Sequence, residues 1–287
     1  VSDDDEYDSR IEKIGKEKDT EGTGFDTLAF DLEVFDDTVH MASFYGEDFE
    51  HLITTVEIDR EYVETVRDEK ELIKRFKEVI EERDPDVITG YNTDEFDFQI
   101  LRERARSNGL TLDIGMLGEK VKFDRRGRFS SARIKGKMHL DIYPFIAHVL
   151  SPGPDSETLD LDSVAEEMLG RNKDDISFEK MKQSWENKDD LEELADYGLK
   201  DSELAYELAE EIIPQIFELS RITGLIPFDA CRLTYGQLTE NFLLREAYKR
   251  NMLSPNRPFR DERSKRRRQG AYTGGFVYSP EPGLYEE

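Results

Sequence analysis

The sequence predicts an α/β fold, a mixed sheet flanked by helices, and three observations carry that reading. Thr27–Phe35 has the apolar and polar alternation of a half-buried strand. Glu69–Arg83 repeats Leu72, Ile73, Phe76, Val79 and Ile80 at helical spacing, which makes one face apolar. Just past Pro85, Asp86–Thr89 is a short run of the buried-strand type, and a second helix, Phe96–Asn108, follows it.

The remaining segments fall into order around these. Residues 1–24 are charged, nearly free of large apolar groups and end in Glu-Gly-Thr-Gly, the composition of an acidic mobile linker. Val39–Phe44 and His51–Val56 fit antiparallel neighbours of the first strand. Val121–Asp141 reads as a hairpin or two with Arg125-Arg126-Gly127-Arg128 at a turn. Asp160–Leu169 and Thr234–Asn251 are helical, and Asp190–Ile213 is a long helix. Pro255 and Pro258 break the chain, Lys265-Arg266-Arg267-Arg268 is its dense basic run, and Ala271–Tyr285 has strand and turn composition. The domain scheme is a linker over 1–24, a main domain over 25–215, and an incomplete helical segment with a partial strand region over 216–287.

At 287 residues, the chain is long enough for one large domain or one domain with part of another. The 66 acidic against 40 basic residues give a net charge of −26, the reverse of the basic footprint expected for a polyanion partner. The acidity has two readings: a solvated surface suited to high salt, or an acidic protein that binds cations. The single cysteine, Cys231, excludes an internal disulfide, fits a reducing cytoplasm, and sits among apolar residues as a partly buried filler. No run approaches the apolar length of a membrane span, so no membrane partner is expected, and the start at Val1 marks a processed product or a piece of a longer polypeptide.

Three acidic motifs carry the chemistry. On a strand, residues i and i+2 share a face, so Asp31 and Glu33 of Phe30-Asp31-Leu32-Glu33 set two carboxylates side by side. Such a pair repels itself unless a cation intervenes, and hard divalent ions prefer oxygen ligands of this kind. In Tyr91-Asn92-Thr93-Asp94-Glu95-Phe96-Asp97, Asp97 opens a helix after a buried strand, where the helix dipole favours a carboxylate. Asn92 suits sugar or backbone oxygens of a nucleotide, and Phe96 suits stacking on a base. In Tyr197-Gly198-Leu199-Lys200-Asp201, Tyr197 and Asp201 lie one helical turn apart, so a metal-ligating carboxylate and a water-orienting hydroxyl share a face. Each motif alone has a plain alternative: solvated acids in an acidic chain, an Asx turn with a core Phe, a Tyr packed under its own helix. Jointly they form the ligand set of a two-metal phosphodiester hydrolase.

These motifs closely resemble the three exonuclease motifs of family B DNA polymerases, the archaeal and eukaryotic replicative type. The tyrosine four residues before the last aspartate marks the DEDDy branch of the DnaQ-like, ribonuclease H-like exonucleases. The likeness extends to Lys137–Tyr143, Leu161–Ala165, Asn241–Ala247 with Pro255-Asn256, and Tyr272-Thr273-Gly274-Gly275, which matches the family's Tyr-x-Gly-Gly motif, and it covers residues 25 to 285. It departs at Val34, where the family usually has Thr. The resemblance implies a proofreading 3′→5′ exonuclease acting on DNA single strands or frayed primer ends. Asp31, Glu33, Asp97 and Asp201 would hold two Mg²⁺ or Mn²⁺ ions and Tyr197 would orient the water, with Asn92 and Phe96 on the terminal nucleotide. It also implies a palm-containing polymerase chain or a sliding clamp as possible partners, and a cytoplasmic, nucleoid-associated location. The chain stops at Glu287, near where the first polymerase motif would begin, and lacks the family's N-terminal domain, so it is not expected to polymerise by itself.

Arg267 and Arg268, followed by Tyr272, Gly274 and Gly275, are the candidates for DNA-backbone contacts, because glycines permit close approach beside a basic run. Arg125, Arg126 and Arg128 are weaker candidates at a hairpin tip. The four histidines have no zinc-type spacing, and Trp185 fits a packing role. The rival from another class is a non-catalytic DNA-binding or assembly subunit of a split polymerase, active only with a palm-containing partner.

Overall fold

The structure, a computed structural model, describes residues 24–126, 129–150, 159–171, 178–256, 259 and 262. Strand β1 (Thr27–Phe35) pairs antiparallel with β2 (Thr38–Gly46), which pairs antiparallel with β3 (Phe49–Thr54). The short β4 (Val63–Thr65) adds parallel to β3. The chain then enters helix α1 (Glu69–Arg83), β5 (Val87–Gly90) and helix α2 (Asp97–Ser107). Next come β6 (Lys122–Arg126), β7 (Phe129–Arg133) and β8 (Met138–Asp141). The main sheet has six strands in the order β4-β3-β2-β1-β5-β8, while β6 and β7 form a separate two-stranded sheet.

After β8 come the helical turn α3 (Ile142–Phe145), a π-helical turn over Ile146–Leu150, α4 (Leu161–Leu169) and α5 (Phe178–Asn187). The long α6 (Leu191–Thr223), the turn α7 (Pro227–Ala230) and α8 (Tyr235–Lys249) follow. The chain divides into two compact units between Phe242 and Leu243. Of the second, the structure describes the end of α8, where Glu246 accepts a 2.6 Å bond from Lys249, and the irregular chain after Asn251. Among the described residues, no helix is long and apolar enough to cross a membrane.

The start of α1 follows from its cap: the Asp68 carboxylate accepts from the Glu71 N–H at 3.0 Å, and acids occupy the first turn. Its end follows from Asp84 in the left-handed region (φ 45°), whose N–H returns to the Ile80 carbonyl. The same residue, Glu69, ties three elements together: it accepts two 2.7 Å bonds from the Arg104 guanidinium, one from the Asn108 amide, and one from the Val39 N–H.

The even residues of β1 face a core that includes Leu72, Phe76 and Ile80 of α1 and Phe98 and Leu101 of α2. Phe30 meets Phe76 and Phe98 edge-on, with centroids 5.3 and 5.2 Å away. The opposite face of the sheet lies under α6, which packs on β1, β2 and β5. Leu204, Leu208, Ile212 and Ile216 supply its buried stripe.

The predicted β1 and α1 match the observed bounds, and β2 and β3 are the antiparallel neighbours expected. Three expectations need correction. The 121–141 segment is one hairpin, β6–β7, and its last strand β8 leaves it to run parallel to β5. The long helix does not stop at Ile213: it crosses Pro214 and ends at Gly224 (φ 78°), whose N–H bonds the Ser220 carbonyl. One lost backbone bond at a proline is outweighed because Ile212, Ile213 and Ile216 stay buried on both sides of it. Helix α5 was not foreseen. Cys231 is fully buried, with burial pushing its thiol up to about 12, and Trp185 packs against Phe35 and His40. The linker of residues 1–23 and the region beyond 262 lie outside the described residues, as does the predicted partial strand region. Helix α6 runs without interruption across residue 215.

Replacing Phe30 with Ala removes the ring at the centre of the α1–α2 face, and the expected loss is about 3–5 kcal/mol in denaturant unfolding. A loss below 1 kcal/mol would show that this face does not hold β1 in place.

Candidate active site

Strand alternation sends Asp31 and Glu33 to the face opposite Phe30 and Leu32, toward α6. There α6 brings Asp201, and ligand oxygens of Asp31, Glu33 and Asp201 all lie within 4.8 Å of one another. All three side chains are half-buried. Gly198 of α6 lies against Glu33, and a Cβ there would rest in ordinary contact, 3.6 Å from Glu33 Cγ. Tyr197 and Asp201 are one turn apart on α6, and both are half-buried.

Asp97 is brought against β1 at Leu32, whose backbone N–H its carboxyl meets. Strand β5 pairs with Thr27–Ala29 only, so beyond Ala29 the chain after Gly90 can turn across β1. Gly90 makes the crossing possible, since a Cβ would stand 2.7 Å from the Phe30 carbonyl oxygen and 2.5 Å from Thr93 Cγ2. The first residue of α2, Asp97, is then only 2% exposed. Asp97 Oδ1 has no hydrogen-bond partner among the described residues. Burial drives its carboxyl far above the usual range, opposed by its own backbone N–H and that of Leu32 and reinforced by the charge of Asp141. Burial pushes Asp141 up as well, reinforced by the charge of Asp94 and opposed by three N–H donors.

The second motif is a turn that runs into the start of α2 at Asp97, as the sequence predicts. Asn92 takes a left-handed conformation (φ 62°), and the Phe96 N–H bonds the Asn92 carbonyl at 3.1 Å. Phe96 is 47% exposed, while Thr93, Asp94 and Asp97 are buried. Asn92 lines a cleft of about 700 Å³ together with Glu95, Tyr143, Phe228 and Arg232.

The structure therefore brings together Asp31, Glu33 and Asp201, buries Asp97 against β1 at Leu32, and leaves Phe96 open to solvent. Arg267, Arg268, Tyr272, Gly274 and Gly275 lie outside the described residues, as do Arg128 and the side chains of Arg125 and Arg126. Sequence reasoning gave no role to Asp94, His139, Asp141 or Arg232, which are buried together. Asp94 Oδ2 accepts a 2.6 Å bond from Arg232 Nε. His139 Nδ1 bonds the Ala132 carbonyl at 2.7 Å, which leaves Nε2 to accept from the Thr93 hydroxyl at 2.9 Å. Burial lowers this imidazole to about 4, so it is neutral. The one sequence signal was a second aspartate, Asp94, inside an already acidic motif. For Arg232 there was none.

The donor set fits divalent cations. Three carboxylates converge at a spacing that like charges resist, all their donors are hard oxygens, and the buried carboxyl of Asp97 has an oxygen without a hydrogen-bond partner among the described residues. Divalent metal use also follows from the comparisons.

The family model described as "DNA polymerase family B, exonuclease domain" matches residues 6–164. A DNA polymerase of Thermococcus gorgonarius is 39% identical over 267 residues, which cover 90% of this chain and 34% of that protein. DNA polymerase 1 of Pyrococcus abyssi is 39% identical over 247 residues, covering 86% of this chain and 31% of that one. The solved family B DNA polymerase of Pyrobaculum calidifontis superposes with a TM-score of 0.70 and 27% identity, over 83% of this chain and 31% of that chain. The chain thus spans about a third of the length of these relatives.

A pH dependence follows from the burial of Asp97. Its folded-state pKa is raised, so the folded chain holds this proton over pH values where the unfolded chain has lost it. Asp97 therefore costs nothing below about pH 4 and an increasing amount toward pH 8. With chelator present, Asp97→Asn is expected to raise Tm at pH 8 by roughly 4–8 °C, as about 2 kcal/mol does in a chain of this size. The gain should shrink toward zero at pH 4, and an equal change at both pH values in thermal melts would contradict the assignment.

Proposed function

The chain belongs to the DNA polymerase family B exonuclease-domain family, and from that premise we propose that it hydrolyses DNA 3′ ends one nucleotide at a time, as a proofreading exonuclease. The observation that carries the proposal is the convergence of Asp31, Glu33 and Asp201 within 4.8 Å, which a solvated acidic surface does not require. The retained ligand set also favours a catalytic role over a purely architectural one.

In this reading Asp31, Glu33 and Asp201 would hold the metals directly, with Asp97 as the fourth carboxylate of the set. Two Mg²⁺ or Mn²⁺ ions bound there would acidify water and offset the charge of the scissile phosphate and its leaving oxygen. Asp97 is protonated alone in its buried place, and a cation nearby would favour its ionised form. The Tyr197 hydroxyl, one turn before Asp201, orients the attacking water toward phosphorus. Water adds to the terminal phosphodiester as the bond to the upstream 3′ oxygen breaks. The products are a 5′-mononucleotide and a strand shortened by one residue with a free 3′ hydroxyl. The exposed ring of Phe96 stacks on the terminal base, and Asn92 bonds sugar or phosphate oxygens. The substrate is a single strand or frayed primer end, whose unstacked terminal base is free to meet the exposed Phe96 ring. The relatives are DNA polymerases, so a polymerising module is the proposed source of such ends.

Asp31→Ala combined with Glu33→Ala is expected to lower Mg²⁺-dependent mononucleotide release, read as shortening of 5′-labelled single-stranded DNA, by at least about 10³-fold, the scale on which removing electrostatic stabilisation acts. Release that is unchanged in this variant, or that proceeds equally in chelator, would overturn the assignment. Tyr197→Phe, which deletes only the hydroxyl, should cost roughly 10²-fold in kcat in the same assay.

A further inference from the structure

We propose, resting on the exonuclease reading above, that Arg232 is a positioning residue of this site: it latches Asp94 and so holds the second-motif turn in the shape that presents Asn92, Phe96 and Asp97. Arg232 lies 138 residues beyond Asp94, just after the turn α7. Its guanidinium grips Asp94 with two bonds, Nε to Oδ2 at 2.6 Å and Nη2 to Oδ1 at 3.2 Å. The remaining donors are engaged too: Nη1 reaches the carbonyls of Phe228 at 2.8 Å and His139 at 3.2 Å. The guanidinium also lies over the Phe228 ring at 3.9 Å, and Arg133 covers the same ring at 4.0 Å. The fork is thus held rigid before it meets the carboxylate.

The turn's other ties come from backbone groups and neutral side chains, among them Thr93 to His139 at 2.9 Å and Gln99 to the Asp94 carbonyl at 2.8 Å. Asp94 Oδ1 also accepts from the Ala132 N–H at 2.7 Å. Asp141 receives the N–H groups of Asn92 and Asp94, both at 2.9 Å. Among these partners Arg232 is the one fixed cation, since His139 is neutral. Asp94 is 2% exposed, so without Arg232 its carboxylate would be a buried charge with no counterion in the latch. The turn would then move to solvate it, and Asn92, Phe96 and Asp97 are part of the same seven-residue motif. A lysine keeps the charge but cannot grip with a two-pronged fork.

The test uses the full chain with Arg232→Gln, Arg232→Lys and Asp94→Asn, well below each variant's melting temperature. Two quantities are measured: amide hydrogen exchange of the peptide spanning 91–97, with β2 as internal reference, and kcat per folded molecule for mononucleotide release from single-stranded DNA. Arg232→Gln is expected to speed exchange in 91–97 at least tenfold with β2 unchanged, and to lower kcat at least tenfold. Arg232→Lys should recover part of both losses. Asp94→Asn should reproduce them without adding to them in the double variant. A merely structural role would lower Tm while leaving kcat per folded molecule and the 91–97 exchange ratio within twofold of wild type, and that result overturns the proposal. If Arg232→Gln does not fold, Arg232→Lys and Asp94→Asn decide by the same criteria. A wild-type chain with no metal-dependent release would instead remove the exonuclease reading, and the exchange data alone would then decide whether the latch exists.

Discussion

Strand β1 faces two ways, and the site depends on that division. Phe30 and Leu32 enter the core beneath α1 and α2, while Asp31 and Glu33 turn to the α6 face. The two-residue repeat of a strand forces the division, because successive side chains cannot share a side. Burial of the apolar pair therefore fixes the direction of the acidic pair. A one-residue slip in register would drive two carboxylates into the core and expose two large apolar groups, which is why the register is strongly specified. The β1–β2 ladder shifts register between Glu33 and Val34, immediately after the second carboxylate, where a bulge can aim a side chain without disturbing the core below.

Around this strand the protein concentrates charges that do not belong together in water-poor surroundings. Asp94, Asp97 and Asp141 are all nearly inaccessible, and each is accommodated differently. Asp94 has the Arg232 guanidinium, and Asp141 has three backbone N–H groups. Asp97 lacks a partner for one oxygen among the described residues, and burial raises its pKa. Satisfied carboxylates hold the shape of a turn, whereas an unsatisfied one is a reservoir for binding a cation nearby. The two kinds stand three residues apart in one motif.

Much of this was legible in the linear sequence where local rules dominate. The helix Glu69–Arg83 follows from its own cap and apolar stripe, and β1 follows from its alternation. The carboxylates Asp31, Glu33 and Asp201 were legible because their spacing matches the period of a strand and a helix turn. The parallel placement of β8 beside β5 was not legible, since a short apolar run carries no signal for its partner strand. Nor was the passage of α6 through Pro214, where local propensity argues for a break and distant packing prevails.

By itself the sequence determined which residues could share a face: the acidic pair on β1, the Tyr197–Asp201 turn, and the motif with Asn92, Phe96 and Asp97. Those relations span a few residues and depend only on backbone periodicity. Only the tertiary structure decided that Asp201 meets Asp31 and Glu33, that Asp97 is sealed from solvent, and that Arg232 closes on Asp94. Such meetings join residues up to 170 positions apart, as Asp31 and Asp201 are. They are set by sheet order and by the burial of apolar faces on both sides of the sheet, which no local pattern encodes.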